Sequence, residues 1–301
     1  MNKYIGIDIG GSAIKHALIS ENGQISNFQT CDTPATLDSF FETIKKKIQD
    51  SYSSNQIEGI AISMPGLIDS KSGFAFHGGA LTYIREMNIR EQLQSLCNVP
   101  LQIENDGKCA ALGEHWVGQL QNVSNGIVLV LGTGIGGGII INNQLVRGHN
   151  LSAGEFSFIQ TNIESDRFEY AFAMQSGVKS LSDSYASLKK MSHSKMNGKL
   201  FFKDLENGDP DALILFENYT KKMAKQLFNL QTILDPEVIS IGGGISQQKI
   251  LFHSIEKHLD DIINASPFPC VRPTIKQSFL GNKANLLGAL AHFKERERTN
   301  N

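Results

Sequence analysis

Apolar residues along this chain recur with two different periods. Short apolar stretches that contain several isoleucines, at residues 4–9, 13–19 and 57–62, predict strands. The segment that starts at residue 37 has a helical period instead, with apolar positions at Leu37, Phe40, Phe41, Ile44 and Ile48. The first part of the chain is therefore predicted to form two strands, an amphipathic helix and a further strand, in that order.

The same order of elements recurs from residue 126 onward. Strands are predicted at residues 127–131 and 137–141, and a long helix is predicted to end at Asp235-Pro236. Strand, glycine turn, hairpin strands and helices thus occur twice in the same order, which predicts two similar α/β domains with a cleft between them. The expected domains are residues 1–118 and residues 119–284.

Composition and charge exclude several classes of protein. The formal net charge is −2, so no basic surface for nucleic acid is expected. The chain has no stretch of about eighteen apolar residues, so no membrane-spanning helix is predicted. A strand that begins at Tyr4 leaves no room for a signal peptide. The four cysteines lack paired spacing, which argues against a zinc cluster or a disulfide framework and favours the cytoplasm.

Three glycine-rich turns, each directly after a short apolar run, carry most of the functional information. They are Asp8-Ile9-Gly10-Gly11-Ser12, Leu131-Gly132-Thr133-Gly134 and Ile241-Gly242-Gly243-Gly244. Glycine lets backbone amides approach anionic oxygens closely. One such turn means little, but three at strand ends predict amides that converge on one phosphorylated ligand. The sequence therefore predicts an enzyme that uses a nucleotide.

The first turn adds a carboxylate and an ammonium group. Near phosphates, Asp8 would lie beside magnesium while the amides of Gly11 and Ser12 hold phosphate oxygens. The alternative is a strand-end aspartate that only caps its turn. Lys15, on the next strand, is either a charge partner for phosphate or an exposed strand lysine.

The second turn is too rich in glycine for an ordinary strand pair, because Gly136-Gly137-Gly138 follows it closely. Its alternative is a bulged structural hairpin. It is not a P-loop, because no Gly-Lys-Ser/Thr ends it. The first turn is not a Rossmann fingerprint either, because it leads into a strand and not a helix.

Glu104-Asn105-Asp106 lies between a predicted strand and a predicted helix. Asn and Asp are favoured helix N-caps, so a structural role is the simplest interpretation. The alternative is that Asp106 is a general base, since its carboxylate would lie beside a substrate hydroxyl at a cleft.

Two glutamates further along are candidates for substrate contacts. Glu155 and Glu169 would accept hydrogen bonds from sugar hydroxyls, or they are ordinary solvated glutamates. Residues 180–208 are polar and mixed, which predicts helix plus surface loop and indicates no chemistry.

These pieces, in this order, resemble the ROK family of sugar kinases and sugar-responsive repressors, within the actin-like ATPase superfamily. The resemblance spans nearly the whole chain and implies an α/β fold of two actin-like (ribonuclease H-like) domains flanking a cleft. It also implies that the last helix, about residues 285–301, packs back on the first domain. The matching stretches are Ile7 to Ser12, Met64-Pro65-Gly66, Glu104-Asn105-Asp106, Leu131 to Gly138, Gly154-Glu155 and Asp235-Pro236 to Gly242-Gly243-Gly244-Ile245.

The resemblance implies a role for each matched residue. Asp106 would deprotonate the 6-hydroxyl of the sugar, and Asp8 would hold Mg²⁺ through water. The sugar would be bound by Asn105, Asp106, Glu155 and Glu169. ATP would be bound by Asp8, Gly10, Gly11, Ser12, Lys15, Gly132, Thr133, Gly134, Gly242, Gly243 and Gly244.

The chain departs from the family at its zinc module. The segment between Glu155 and Glu169 is short and has no cysteine, so no structural zinc is expected. Most members carry there a histidine that ligates zinc and touches the sugar near its anomeric carbon, whereas this chain has Phe158. An apolar ring at that point favours a sugar whose O1 carries another group. The predicted substrate is therefore a β-glucoside such as a cellobiose-type disaccharide.

Other functions remain open. A glucokinase or an N-acetylmannosamine kinase would act on a free hexose, and a sugar-binding sensor would have lost catalysis. A chaperone-like or actin-like ATPase would hydrolyse ATP without sugar, but such proteins lack the Glu104-Asn105-Asp106 junction. No helix-turn-helix module precedes the first strand, so no DNA binding of that kind is expected. A homodimer is expected because dimers are common among similar proteins.

Overall fold

The computed structural model describes residues 2–52, 56–95 and 97–300. The chain groups into two compact units, which are described here one at a time. Unit 1 comprises Met1–Asn122, Gly138–Gly154 and Asn282–Asn301, and unit 2 comprises Val123–Gly137 and Glu155–Gly281.

Unit 1 contains a mixed sheet and a small antiparallel sheet. Its strands are β1 (Lys3–Ile9), β2 (Ala13–Ser20), β3 (Ile25–Asp32), β4 (Ile57–Met64), β5 (Leu67–Asp69), β6 (Phe74–Gly78), β7 (Leu81–Asn88) and β8 (Leu101–Asn105). The mixed sheet has the order β3-β2-β1-β4-β8, in which β1, β4 and β8 are parallel. Parallel neighbours end at one edge of the sheet, so the residues that follow β1, β4 and β8 are brought together.

The helices of unit 1 cover this mixed sheet. They are α1 (Leu37–Tyr52), α2 (Ile89–Gln94), α3 (Asp106–Val117) and, at the end of the chain, α9 (Ala284–Asn300). The helical period from residue 37 is confirmed, since Phe40, Ile44 and Ile48 are fully buried. The last helix, α9, contacts α3, β1 and β4.

Two glycines let α3 and α9 cross at very short range. A Cβ on Gly288 of α9 would overlap the carbonyl of Cys109, and one on Gly113 of α3 would overlap the carbonyl of Ala284. Because both helices are held backbone to backbone, the start of α3 has a fixed position relative to the sheet.

A second sheet repeats the strand order of the first. Its strands are β9 (Gly126–Leu131), β10 (Ile135–Ile141), β11 (Gln144–Leu145), β12 (Val238–Gly243) and β13 (Ile275–Gln277). They are arranged as β11-β10-β9-β12-β13, and β12 is parallel to both β9 and β13. Three hairpin-connected strands followed by parallel strands thus occur twice, as the repeated pattern in the sequence predicts.

The helices of unit 2 are α4 (Phe172–Ser176), α5 (Val178–Leu188), α6 (Gly198–Glu206), α7 (Pro210–Leu234) and α8 (Lys249–Ala265). The side chain of Asp209 caps the start of α7, and Asp235 ends it in a left-handed conformation with φ 44°. The predicted end at Asp235-Pro236 is confirmed. Within the described residues, no helix has both the length and the apolar character needed to cross a membrane.

Unit 1 includes three stretches of the predicted second domain, residues 119–122, 138–154 and 282–284, of which the middle one is the longest. Gly138–Gly154 groups with unit 1, although the sequence places it in the second domain. The physical reason is close packing on α3, because a Cβ on Gly138 would come within 2.7 Å of the Ala111 Cβ. An ion pair between Arg147 and Glu104 holds the same segment.

Candidate functional site

The carboxylate of Asp8 is buried at the end of β1 and accepts hydrogen bonds from three side chains. Ser63 donates to Oδ1 over 3.0 Å and Asn285 donates to the same oxygen over 2.9 Å. Lys15 donates to Oδ2 over 3.0 Å. A buried carboxylate requires partners of this kind, and here they come from β4, α9 and β2. Lys15 is thus an ion-pair partner of Asp8, and its predicted contact with phosphate stays a prediction.

Hydrogen bonds to neighbouring residues hold the first glycine turn in place, and part of the turn is exposed to solvent. Gly10 N–H donates to Ala13 O over 2.9 Å, and the Thr33 hydroxyl donates to Gly10 O over 2.7 Å. Gly11 and Ser12 are exposed. The turn therefore presents backbone, held in one conformation, to a ligand.

Asn105 performs the N-cap role that the simplest interpretation gives it. Its Oδ1 accepts Lys108 N–H over 3.0 Å, and its Nδ2 donates to Gly66 O over 2.9 Å. A carboxamide has two donor hydrogens and two acceptor lone pairs, so one of each remains for a sugar. Its predicted contact with ring hydroxyls stays a prediction.

Asp106 is the first residue of α3 and is partly exposed. Its Oδ1 accepts the N–H of Gly107 over 2.8 Å. The N-terminus of a helix favours negative charge. This position therefore suits a carboxylate that must accept a proton from a bound hydroxyl.

The structure places Asp8 and Asp106 at the same edge of the mixed sheet. In the strand register Asp8 lies opposite Ser63, and Ser63 lies opposite Glu104. Since neighbouring strands are about 4.8 Å apart, the backbones of Asp8 and Glu104 are separated by roughly 10 Å. Burial raises the pKa of the Cys109 thiol well above its usual value, and the charges of Glu104, Asp8 and Asp106 raise it further. The three carboxylates therefore lie near enough to one buried thiol to raise its pKa.

A buried network that sequence reasoning did not find anchors Glu104. Arg147 Nε donates to Glu104 Oε2 over 2.8 Å, and Glu104 Oε1 accepts Asn105 N–H over 2.8 Å. Arg147 also lies 3.1 Å from Nδ1 of His292. Burial lowers the pKa of His292 to about 4, although the charge of Glu104 opposes the shift. No local signal could identify these partners, because 145 positions separate Arg147 from His292.

The second and third glycine turns lie side by side in unit 2. Gly242 pairs with Val130 and Gly243 with Leu131, directly before Gly132. Gly243 has φ +95°, and a Cβ there would overlap the carbonyl of Leu131. Only glycine fits this position, because the two backbones are in contact and the conformation is left-handed.

Both turns line one pocket of about 440 Å³. Gly132, Thr133 and Gly244 form one side of it. A Cβ on Gly244 would meet no atom within 4 Å, so that glycine faces open space. Backbone that faces a cavity can approach an anionic ligand closely.

The other side of this pocket comes from the region to which the sequence assigned no chemistry. Residues 180–208 form most of α5, a single 3-10 turn and α6, so the predicted helix and loop are confirmed. Asp183 lines the pocket and is paired with Lys179 and with Nδ1 of His193, the latter over 3.5 Å. Asn197 also lines it and caps α6 by accepting Leu200 N–H. The polar face of α5 is the sequence feature that could have indicated this side of the pocket.

The two candidate sugar glutamates lie in unit 2, at either end of a short segment. Glu155 is partly exposed and directly precedes a 3-10 turn at Phe156–Phe158. The side chain of Glu169 is 46% exposed and pairs with Arg167 over 2.7 Å. Neither residue is buried in the core of the unit, so both are accessible to a ligand.

A larger cavity in unit 1, of about 700 Å³, lies elsewhere. Trp116 and Lys294 line it, near the C-terminal ends of α3 and α9. Since α3 has twelve residues, it is about 18 Å long, and Asp106 lies at its other end. This cavity is therefore not part of the candidate site.

No group of three or more His, Cys, Asp or Glu side chains in the described ranges could hold a metal ion. The expectation that no structural zinc is present stays a prediction. All four cysteines are free thiols.

Comparison with known proteins gives concordant matches. The model of the ROK family matches residues 4–296. A protein from Listeria innocua named beta-glucoside kinase is 30% identical over 98% of this chain and 98% of its own length.

Two solved structures extend the similarity to the fold. A ROK family protein from Streptococcus pneumoniae TIGR4 in complex with sucrose is 28% identical, with a TM-score of 0.89 over 99% of both chains. A ROK family glucokinase from Streptomyces griseus in complex with glucose and AMPPNP is 25% identical, with a TM-score of 0.84 over 96% of this chain and 98% of that one. The predicted α/β class of actin-like fold is confirmed. Since the family model matches nearly the whole chain, the protein belongs to the ROK family.

Proposed function

We propose that this protein transfers the terminal phosphoryl group of ATP to the 6-hydroxyl of a glucose-type sugar, with β-glucosides as its preferred acceptors. The observation that carries the proposal is the position of Asp106, at the first residue of α3 and at the same sheet edge as Asp8. The proposal assigns the general base to unit 1 and the adenosine-binding pocket to unit 2.

Asp106 acts as the general base in this proposal. Phosphoryl transfer requires mainly positioning and charge neutralisation, together with one group that accepts the proton of the attacking hydroxyl. Gly107 N–H holds one oxygen of the Asp106 carboxylate. Since Asp106 is partly exposed, a sugar hydroxyl can approach its carboxylate.

ATP binds to the paired glycine turns of unit 2. The backbone of Gly132 to Gly134 and of Gly242 to Gly244 contacts phosphates and ribose, and the 440 Å³ pocket takes the adenosine. The Streptomyces griseus relative, whose structure contains AMPPNP, supports the choice of ATP.

Magnesium fits the surroundings of Asp8 through water. A carboxylate has about four acceptor sites, and Ser63, Asn285 and Lys15 occupy three of them. Mg²⁺ in such sites keeps several waters and uses one or two carboxylates together with substrate phosphates. Asp8 would therefore hold a water molecule of the Mg²⁺ ion. When bound, the ion would neutralise charge on the phosphates.

The β-glucoside preference has two supports. The full-length relative from Listeria innocua carries the name beta-glucoside kinase. Phe158 presents an exposed apolar ring close to Glu155, where a polar group would be needed to bind a free anomeric hydroxyl. Asn105, Asp106, Glu155 and Glu169 bind the hydroxyls of the glucose ring in this proposal.

The proposal is tested by sugar-dependent release of ADP in a coupled assay. Cellobiose, methyl β-glucoside, glucose and N-acetylmannosamine are compared with a reaction that contains no sugar. We expect kcat/KM to be highest for the two β-glucosides. A preference for glucose or for N-acetylmannosamine would favour a kinase of free hexoses. ADP release without sugar would identify an ATPase, and binding of sugar without ADP release would identify a sensor.

A cytoplasmic location, a homodimer and a cleft between two domains stay predictions. Sedimentation velocity of the purified protein would test the dimer directly.

A further inference from the structure

Unit 2 exposes a pair of aromatic rings in the segment between the two candidate sugar glutamates. The side chains of Phe158 and Phe168 are 59% and 56% exposed, and their ring centroids are 6.3 Å apart at an angle of 47°. Burial of large aromatic rings is strongly favourable, so two exposed rings in contact require an explanation.

Backbone hydrogen bonds hold this pair in place. Phe172 N–H donates to Ile159 O over 2.7 Å, and Thr161 N–H donates to Tyr170 O over 2.9 Å. The Thr161 hydroxyl donates to the same carbonyl over 2.7 Å. Residues 159–161, which directly follow Phe158, are therefore held to residues 170–172, which closely follow Phe168. Two exposed rings on a fastened backbone can stack on a ligand without a large loss of conformational entropy.

The same segment is fixed to the second glycine turn. Ser157, which directly precedes Phe158, donates through its hydroxyl to Ile135 O over 3.0 Å and accepts Ile135 N–H over 3.1 Å. A Cβ on Gly134 would lie 3.1 Å from the Ser157 oxygen. The aromatic pair thus begins one residue away from a contact with the proposed phosphate-binding turn.

We infer that Phe158 and Phe168 form an aromatic platform on which the aglycone of a β-glucoside stacks. The inference rests on the proposed function and names the part of the site that would recognise the group on O1. In a β-glucoside the bond to O1 is equatorial, so the aglycone continues in line with the glucose ring. A second sugar or an aryl group then offers a flat apolar face to the rings. In an α-glucoside the bond to O1 is axial, so the aglycone is directed away from the two rings.

Glu169 and Arg167 complement this platform. Glu169 follows Phe168 directly, and its exposed carboxylate pairs with the guanidinium of Arg167. A polar rim beside an apolar surface is typical of small-molecule sites, in which a few polar groups fix orientation. Because Glu169 is assigned to the glucose ring, the exposed guanidinium of Arg167 is the part of the rim that is suited to hydroxyls of a second sugar.

The test compares a β-linked acceptor, an α-linked acceptor and the free hexose. Initial rates and direct binding by titration calorimetry are measured with cellobiose, maltose and glucose. For Phe158→Ala and Phe168→Ala we expect the ratio of KM for cellobiose to KM for glucose to rise roughly tenfold, the effect of losing one stacking contact. Phe168→Tyr keeps the ring and should retain the wild-type ratio. Phe268→Ala removes a ring that is 77% exposed elsewhere in unit 2, and it should leave both KM values unchanged.

Several outcomes would overturn the platform. One is an unchanged KM ratio in both alanine variants, and another is equal weakening of cellobiose and maltose. A third is a change in sedimentation coefficient without a change in the KM ratio, which would make the rings a contact between copies of the chain.

The failure of the platform and the failure of the proposed function can be distinguished. A wild-type protein that phosphorylates glucose but neither binds nor phosphorylates cellobiose overturns the platform and leaves the kinase activity standing. A wild-type protein that binds cellobiose through the two rings and releases no ADP supports the platform and overturns the kinase activity.

Discussion

The glycine turn after β1 follows a buried carboxylate that side chains hold in place, whereas the glycines at the ends of β9 and β12 pack closely on backbone. In unit 1, the carboxylate of Asp8 has three side-chain donors, and Glu104 is buried with Arg147. In unit 2, Gly243 packs directly on the carbonyl of Leu131, and Gly132 accepts its hydrogen bond from the backbone of Val178.

The two units are therefore suited to bind an anionic substrate in different ways. The site in unit 1 depends on fixed charges, so the removal of a charge should impair it. The site in unit 2 depends on the absence of side chains, so the addition of a single methyl group should impair it. Four sets of variants and measurements test this difference between the units.

The largest effect is expected from Asp106→Asn. The amide cannot accept the hydroxyl proton, so kcat should fall by about 10²-fold or more while KM for the sugar changes little. Asp38→Asn is the matched control, because Asp38 also lies in the first turn of a helix, α1, and is exposed. An unchanged kcat for Asp106→Asn would remove this carboxylate from the mechanism.

Acid should weaken unit 1 through His292. Its pKa is about 4 in the folded protein and about 6.5 when unfolded, so the unfolded state binds more protons between these values. The free energy of unfolding should therefore decrease by roughly 3 kcal/mol as pH falls from 6.5 to 4. Fluorescence of the single tryptophan, Trp116 on α3, reports urea unfolding of this unit.

The His292 contribution is isolated by two variants. His292→Gln keeps an acceptor for Arg147 but does not titrate, so its stability should depend less on pH. His193→Gln alters an exposed histidine of unit 2 and should retain the wild-type dependence. Equal slopes in all three proteins would exclude His292 as the cause.

Asp8→Asn should reduce kcat/KM for MgATP by about tenfold or more, because hydrogen bonds to a charged group each contribute roughly 1.5–3 kcal/mol. The amide would also turn either its NH₂ group or a neutral oxygen toward the ammonium of Lys15.

Lys15→Met separates the two roles of that lysine, as a phosphate contact and as a partner of Asp8. A rise in KM for ATP would support a phosphate contact, whereas lower stability alone would indicate a partner of Asp8 only.

The smallest effects are expected from added methyl groups in unit 2. Gly244→Ala has space in the unliganded pocket, so it should raise KM for ATP several-fold and leave thermal stability unchanged. Gly136→Ala is the control, because its Cβ would also meet nothing within 4 Å and it does not line the pocket. Gly243→Ala should instead lower stability, since its Cβ would overlap Leu131. A KM for ATP that is equal in the Gly244 and Gly136 variants would argue against nucleotide binding at this pocket.

Strong local patterns explain which elements the sequence predicts. The strands after Met1 and Gly126, and the helix that ends at Asp235, combine continuous periodicity with clear turn or cap residues. The small sheet of β5, β6 and β7 has no counterpart among the predictions. β5 and β6 are short, and the pattern of buried residues in β6 and β7 is irregular.

The candidate site is predictable only in part for a similar reason. The glycine turns and the Glu104-Asn105-Asp106 junction are contiguous in the chain, so their chemistry is visible in the sequence. The partners that fix them are not contiguous. Asn285 is 277 positions from the Asp8 that it binds, and Ser157 is 22 positions from Ile135.

The positions at which strands end in glycine, and at which carboxylates follow them, are encoded locally, because backbone conformation and apolar periodicity act over a few residues. The side chains that complete those turns are brought to them by the packing of distant elements. The tertiary structure joined Gly132 and Gly244 into one pocket through strand pairing, and it enclosed Glu104 with Arg147 and His292 through the packing of α9. A buried charge selects its partners by proximity in space, and proximity in space is set by how sheets and helices pack, not by distance along the chain.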